Sequence, residues 1–225
     1  MRNQIITYLK KCQNKEFREF SLKLLPDNSY PMIGVRLPEL RKIAKKIVKE
    51  DYHTFLIEVK DEYFEEIMIE GFVIGYLPQP FDLKIKLIQD YLPKVSNWSL
   101  CDSFVITIKD HSENYYIFCK KCMKSKNPYT VRFGIVSILF YFLQSEHIDE
   151  ILTLLTSINH DHYYVKRAIA WCLAESLVYH PNKTLEAMQH LEDDWTYNKS
   201  IQKARESLRI NKKEKEHLNT LKRSK

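Results

Sequence analysis

The sequence predicts an all-α chain, a single-domain curved solenoid of stacked antiparallel helix pairs, and three observations predict it. Only four glycines occur in 225 residues: Gly34, Gly71, Gly75 and Gly134. Apolar residues recur every three or four positions rather than alternating, which is the helical period and not the strand period. The implied helices, roughly 9–19 residues long, follow one another through short loops that leave no room for strands.

In chain order, helices are predicted over 2–12 and 15–25, the second carrying Phe17, Phe20, Leu24 and Leu25 on one side and closed by Pro26-Asp27-Asn28-Ser29. Residues 30–38 form a loop with two prolines and Gly34, which delivers a helix over 38–49 with Pro38 in its first turn. There Leu40, Ile43, Ala44, Ile47 and Val48 face inward, while Arg41, Lys45 and Lys49 make one outer row and Lys42 and Lys46 another. Such a face ordinarily meets solvent; the sharper reading is a row that faces phosphates.

Further helices are predicted over 51–59, 62–76, 80–91, 97–110, 113–125, 129–145, 147–157, 162–180, 182–191 and 197–210, with a charged helical end to about 222. Pro78, Pro80, Pro93, Asn127-Pro128, Asn159-His160-Asp161 and Pro181 mark the joints. The segment 129–145 is apolar nearly all round, so it should be central, and its Arg132 needs a partner. In 162–180 the apolar face of Val165, Ala168, Ile169, Cys172 and Leu173 contrasts with Lys166 and Arg167, and Trp171 sits at its flank. No Gly/Ser/Pro-rich linker interrupts residues 30–198, so 1–225 is expected to be one domain, with 199–225 as its basic helical end.

The charge of +6 is concentrated in that end: residues 199–225 hold ten Lys/Arg and three Asp/Glu, leaving 25 basic and 26 acidic residues elsewhere. A local +7 suits a polyanionic partner and equally a solvated terminal helix. No run of eighteen apolar residues exists, and Met1-Arg2-Asn3-Gln4-Ile5 is too polar for a signal peptide, so a cytosolic protein off the membrane is expected. Five cysteines, four of them in periodic apolar segments, fit reduced thiols in that compartment.

Several signals carry no chemistry on this reading. Cys119 and Cys122 have metal-ligand spacing but no second ligand pair, so they are expected to be structural. Glu62, Glu65, Glu66 and Glu70 open a helix and read as solvated partners of its positive end. His160-Asp161-His162 precedes a helix that Asp161 would cap. No Gly-rich phosphate loop, Gly-x-Ser-x-Gly elbow or His-Glu-x-x-His occurs. No metal and no organic cofactor is expected.

What remains is Trp98 and Asp102, four residues apart and therefore on one helical face, together with Arg132 and Trp171. The tryptophans could be core residues, with Asp102 and Arg132 a buried ion pair. Alternatively, an indole plate beside a carboxylate stabilises a cationic or cation-forming ring.

The segments Asn97-Trp98-Ser99-Leu100-Cys101-Asp102, Val131-Arg132-Phe133-Gly134-Ile135, Ala168-Ile169-Ala170-Trp171-Cys172-Leu173-Ala174-Glu175 and Gly34-Val35-Arg36-Leu37-Pro38-Glu39-Leu40-Arg41 resemble the AlkD-type DNA alkylation repair proteins, in the same order and over nearly the whole chain. The resemblance implies HEAT-like helical repeats with a concave basic face that holds duplex DNA. It implies hydrolysis of the N-glycosidic bond of N3- or N7-alkylated purines without extruding the base, unlike most glycosylases. By matched position, Trp98 and Trp171 would lie against the deoxyribose and backbone, Asp102 would stabilise the oxocarbenium-like sugar and position water, and Arg132 would contact a phosphate. Lys166, Arg167, Arg41 and Lys45 complete the expected DNA-binding set, and a monomer is expected. Ser99 stands where many members carry an acid. The alternative function is a non-catalytic HEAT-like module that binds nucleic acid or a protein.

Overall fold

The computed structural model describes residues 1–224, and all regular structure among them is helical, with no strand. The elements are α1 (Arg2–Lys11), α2 (Lys15–Leu24), α3 (Leu37–Glu50), α4 (Tyr52–Glu58), α5 (Phe64–Tyr76), α6 (Phe81–Tyr91), a one-turn 3-10 helix (Leu92–Lys94), α7 (Trp98–Ile108), α8 (Glu113–Met123), α9 (Pro128–Tyr141), α10 (Ile148–Ser157), α11 (Tyr163–Tyr179), α12 (Pro181–Met188), α13 (Asp194–Glu206) and α14 (Lys212–Thr220). Side chains that accept the first free amides explain many of the starts: Asn14, Asp51, Asn97, Asn127, Asp193 and Asn211 each cap a helix in this way. Pro38, Pro128 and Pro181 occupy first turns, where a missing N–H costs nothing. Close contacts divide the chain into two compact units, Met1–Asn114 and Tyr115 onward.

In the first unit α5 packs against both α3 and α7, with α4 against α3 and α6 against α5. Every residue of α5 from Phe64 to Gly75 is buried. Glycine allows this: a Cβ on Gly75 would stand 1.8 Å from Thr107 Oγ1 of α7, and one on Gly71 would stand 2.6 Å from the Tyr91 hydroxyl. The reading of Glu65, Glu66 and Glu70 as solvated carboxylates is therefore corrected. All three are buried, and each has found a partner, because an ionised group in this position must be compensated.

In the second unit α11 packs against α9, α12 and α13, α10 packs against α11 and α12, and α14 packs against α13. Helix α9 is buried continuously from Val131 to Ile138, as its all-round apolar pattern predicts. Gly134 admits the α8 backbone, since a Cβ there would meet the Cys119 carbonyl at 2.6 Å.

Two local expectations change here. His162 rather than Asp161 caps α11, its Nδ1 accepting from Tyr164 N at 3.3 Å, while Asp161 stays in solvent. The helix expected over 197–210 begins three residues earlier, because Asp193 caps it, and ends at Glu206. The charged end is a separate helix, started by a capping box of Asn211 and Glu214. Arg223 anchors that end: it stacks over Tyr197 at 4.0 Å and donates to the Leu191 carbonyl and to Asp194. Among the described residues no helix is long and apolar enough to cross a membrane.

Candidate functional site

In the first unit the segment around Trp98 is fixed before the helix begins. Asn97 is wholly buried, and its Oδ1 accepts from Ser99 N at 3.0 Å and Leu100 N at 3.1 Å. That cap sets the phase of α7, so that Leu100, Cys101, Ser103 and Phe104 point into the core while Trp98 and Asp102 stand half-buried one turn apart. The indole N–H of Trp98 donates to the Leu24 carbonyl at the end of α2 (3.1 Å). Three further contacts run alongside it. Asn97 Nδ2 donates to Asn28 Oδ1 (3.4 Å), Ser29 N to Ser96 Oγ (3.4 Å), and the Tyr30 hydroxyl to the Lys94 carbonyl (2.9 Å). Segments 24–30 and 94–98 are thus laced together, and the plane of Trp98 is held by its edge.

Arg41 and Lys45 lie on α3 one turn apart and both lean over aromatic rings of α5. The Arg41 guanidinium is 5.5 Å from the centre of Phe72, and the Lys45 ammonium is 5.5 Å from that of Tyr76. Burial raises the Tyr76 phenol above its usual value, against the pull of nearby Arg41. On the other row, Lys46 pairs with Glu50 at 3.7 Å and Lys42 approaches Glu39 at 4.0 Å. Arg41, Lys45 and Lys49 are the cations of α3 that make no ion pair with this helix's own acids.

In the second unit Trp171 is half-buried on α11 and meets Phe140 of α9 edge-on, at 5.8 Å and 89°. Arg132 is only 6% exposed, and its Nη1 donates to the Tyr164 carbonyl at 2.7 Å. It therefore grips the first turn of α11, the turn from which Lys166 and Arg167 project. Lys166 reaches Asp193 Oδ1 at 3.3 Å, on the wall of an open groove of about 840 Å³ between α10, α12 and the start of α13. Five carboxylates and two lysines line that groove, so Lys166 faces an acidic surround. Burial would raise the Asp193 carboxyl, but the Thr196 hydroxyl and amide and the Lys166 ammonium hold it below the usual range. Arg167 lies over the ring of Tyr163 at 5.6 Å and donates to its hydroxyl at 3.0 Å, with Trp195 beside that ring.

All eight sequence-predicted residues lie on α3 and α7, which both pack on α5 in the first unit, and on α9 and α11, which pack on each other in the second. Sequence reasoning missed the buried acids of α5. Glu70, 6% exposed, receives the Lys94 ammonium at 2.7 and 2.9 Å, and Asp61 Oδ1 lies 2.9 Å from the same nitrogen. Burial raises the Glu70 carboxyl to about 7, because one ammonium shared with a second carboxylate does not offset desolvation. The available signal was the apolar filling of every other α5 position, Ile67, Met68, Ile69, Phe72, Val73 and Ile74, which leaves these acids no route to solvent. Among the described residues no group of three or more His, Cys, Asp and Glu side chains is arranged to hold a metal ion.

Residues 5–210 match the family model described as DNA alkylation repair enzyme. No curated protein matches the chain.

Proposed function

The chain belongs to the DNA alkylation repair enzyme family, and on that premise we propose that it is a DNA glycosylase that hydrolyses the N-glycosidic bond of N3- or N7-alkylated, cationic purines in duplex DNA. The observation that carries the reading is the pairing on α7. An indole held by its edge and a carboxylate one turn further stand together at the half-buried margin of the helix, outside the core positions Leu100, Cys101 and Phe104.

The chemistry asks for little more. An alkylated purine already carries the positive charge that makes it a leaving group, so no general acid is needed. As the C1′–N bond breaks, the bonding electrons go to the neutralised purine and the sugar becomes an oxocarbenium ion. Asp102 stabilises that cation and orients the water that attacks it; Trp98 presents a π-face to the same charge. Trp171 contributes a second aromatic contact to the deoxyribose and backbone. Arg41, Lys45, Arg132, Lys166 and Arg167 take phosphates, Arg132 while also holding the first turn of α11. The solenoid form, the monomeric state, a cytosolic location and independence from metal or organic cofactor belong to this reading.

Duplex containing N7-methylguanine should release free base on incubation with the protein, and Asp102→Asn should slow release on the order of 100-fold. Equal rates for the two proteins would remove Asp102 from its role. The second reading is a non-catalytic HEAT-like module that binds nucleic acid or a protein; the engagement of Arg132 and Lys166 with acceptors of the protein itself is compatible with a structural part for both. Duplex binding with no base release decides for it.

A further inference from the structure

The link between α6 and α7 is short, and its tether is ionic. Lys94 closes the 3-10 turn, and only Val95, Ser96 and Asn97 separate it from Trp98. Its ammonium group lies against Glu70 of the buried α5 and Asp61 before that helix, while its carbonyl receives the Tyr30 hydroxyl. Both ends of the residue are therefore fixed, one to the central helix and one to the strand of chain that also carries Asn28 and Leu24. The other charged or titratable groups around Glu70 are Glu66, one turn back on α5 and bonded to Arg2, and the phenols of Tyr30 and Tyr91.

A buried ion group of this kind adds little net stability, since desolvation offsets most of the attraction, and apolar groups of similar volume often serve as well. What it supplies is direction. We propose that Lys94, clamped between Glu70 and Asp61, is a positioning residue that sets the height and angle at which Trp98 and Asp102 leave the core. The role rests on the glycosylase reading of those two side chains. A displacement of this link moves the indole and the carboxylate together, and reactive geometry tolerates little of that.

The test uses Glu70→Gln and the double variant Glu70→Gln/Lys94→Met, which removes the ammonium together with its most buried counter-charge. Two readouts apply. One is kcat and KM for release of N7-methylguanine from duplex. The other is the emission of Trp98 alone, in a Trp171→Phe/Trp195→Phe background that removes the other indoles. The folded double variant should lose roughly 10- to 100-fold in kcat with KM changed less than about threefold, and its Trp98 emission should shift to the red. In the parent, Trp98 emission should titrate between pH 6 and 8, as Glu70 takes up its proton near 7, and Glu70→Gln should abolish that titration. Unchanged kcat and unchanged emission in the folded double variant overturn the proposal. If the double variant does not fold, the pH dependence of Trp98 emission in Glu70→Gln decides, and a titration like the parent's overturns it. If the parent itself releases no base, the glycosylase reading fails separately, and Trp98 emission alone decides whether Lys94 positions the segment.

Discussion

Glu65→Gln should loosen the loop before α3 and lower the stability of the chain far more than its size suggests. The side chain is 1% exposed and accepts three consecutive backbone amides: Oε2 takes Ile33 N at 2.9 Å, and Oε1 takes Gly34 N at 2.6 Å and Val35 N at 3.1 Å. Glutamine keeps one oxygen and puts an NH2 where the other was, so at least one amide faces a donor. Losing one charge-assisted bond and reducing the other two to neutral strength, with a buried donor left over, amounts to about 3–5 kcal/mol. For a chain of this size that is a fall in Tm of about 10 °C, read by circular dichroism at 222 nm. The same variant should raise the hydrogen-exchange rate of the three amides. It should also raise that of the nearby Asn14 amide, which donates to the Gly34 carbonyl at 2.9 Å. A Tm within about 2 °C of the parent, with unchanged protection at residues 33–35, would refute the account of Glu65 as the anchor of this loop.

Three further outcomes are expected. Asn97→Ala removes a wholly buried cap and should cost about 1–2 kcal/mol in denaturant unfolding while red-shifting Trp98 emission. Glu70 has a folded pKa near 7, raised above its usual 4.5, so it favours the folded state below about 4.5 and loses that contribution as pH rises toward 7. The Tm of Glu70→Gln relative to the parent should accordingly climb between pH 5 and pH 8. Burial pushes the Cys122 thiol up to about 12 and the Cys172 thiol higher still, and Cys101 and Cys119 are also buried, so iodoacetamide at pH 8 should label only Cys12 in the native protein, as read by intact mass.

Much of this architecture was legible along the chain because it is written in local chemistry. Apolar periodicity marks the helices, Asn14, Asn97 and Asn127 mark starts, and prolines mark joints; each acts within a turn of its own position. The start of α13, three residues ahead of the expected 197, has the same local origin, since Asp193 caps it through Thr196 before the apolar pattern begins. In the charged end a new helix starts at the capping box of Asn211 and Glu214, a signal just as local.

The candidate site divides in the same way. Trp98 and Asp102 share a helical face by their spacing alone, and the sequence by itself determined their pairing, the all-helical class and the family. Only the tertiary structure decided what each charged side chain does. The carboxylates of Glu65, Glu66 and Glu70 look solvent-bound in the sequence, yet they tie down a loop, Arg2 and Lys94. Arg132 lies buried and donates to the Tyr164 carbonyl, 32 positions further along the chain. The physical reason is range: helix propensity and capping depend on neighbours three or four residues away, whereas the fate of a charge depends on burial and on partners 24 to 64 positions distant, which come into reach only when the helices pack.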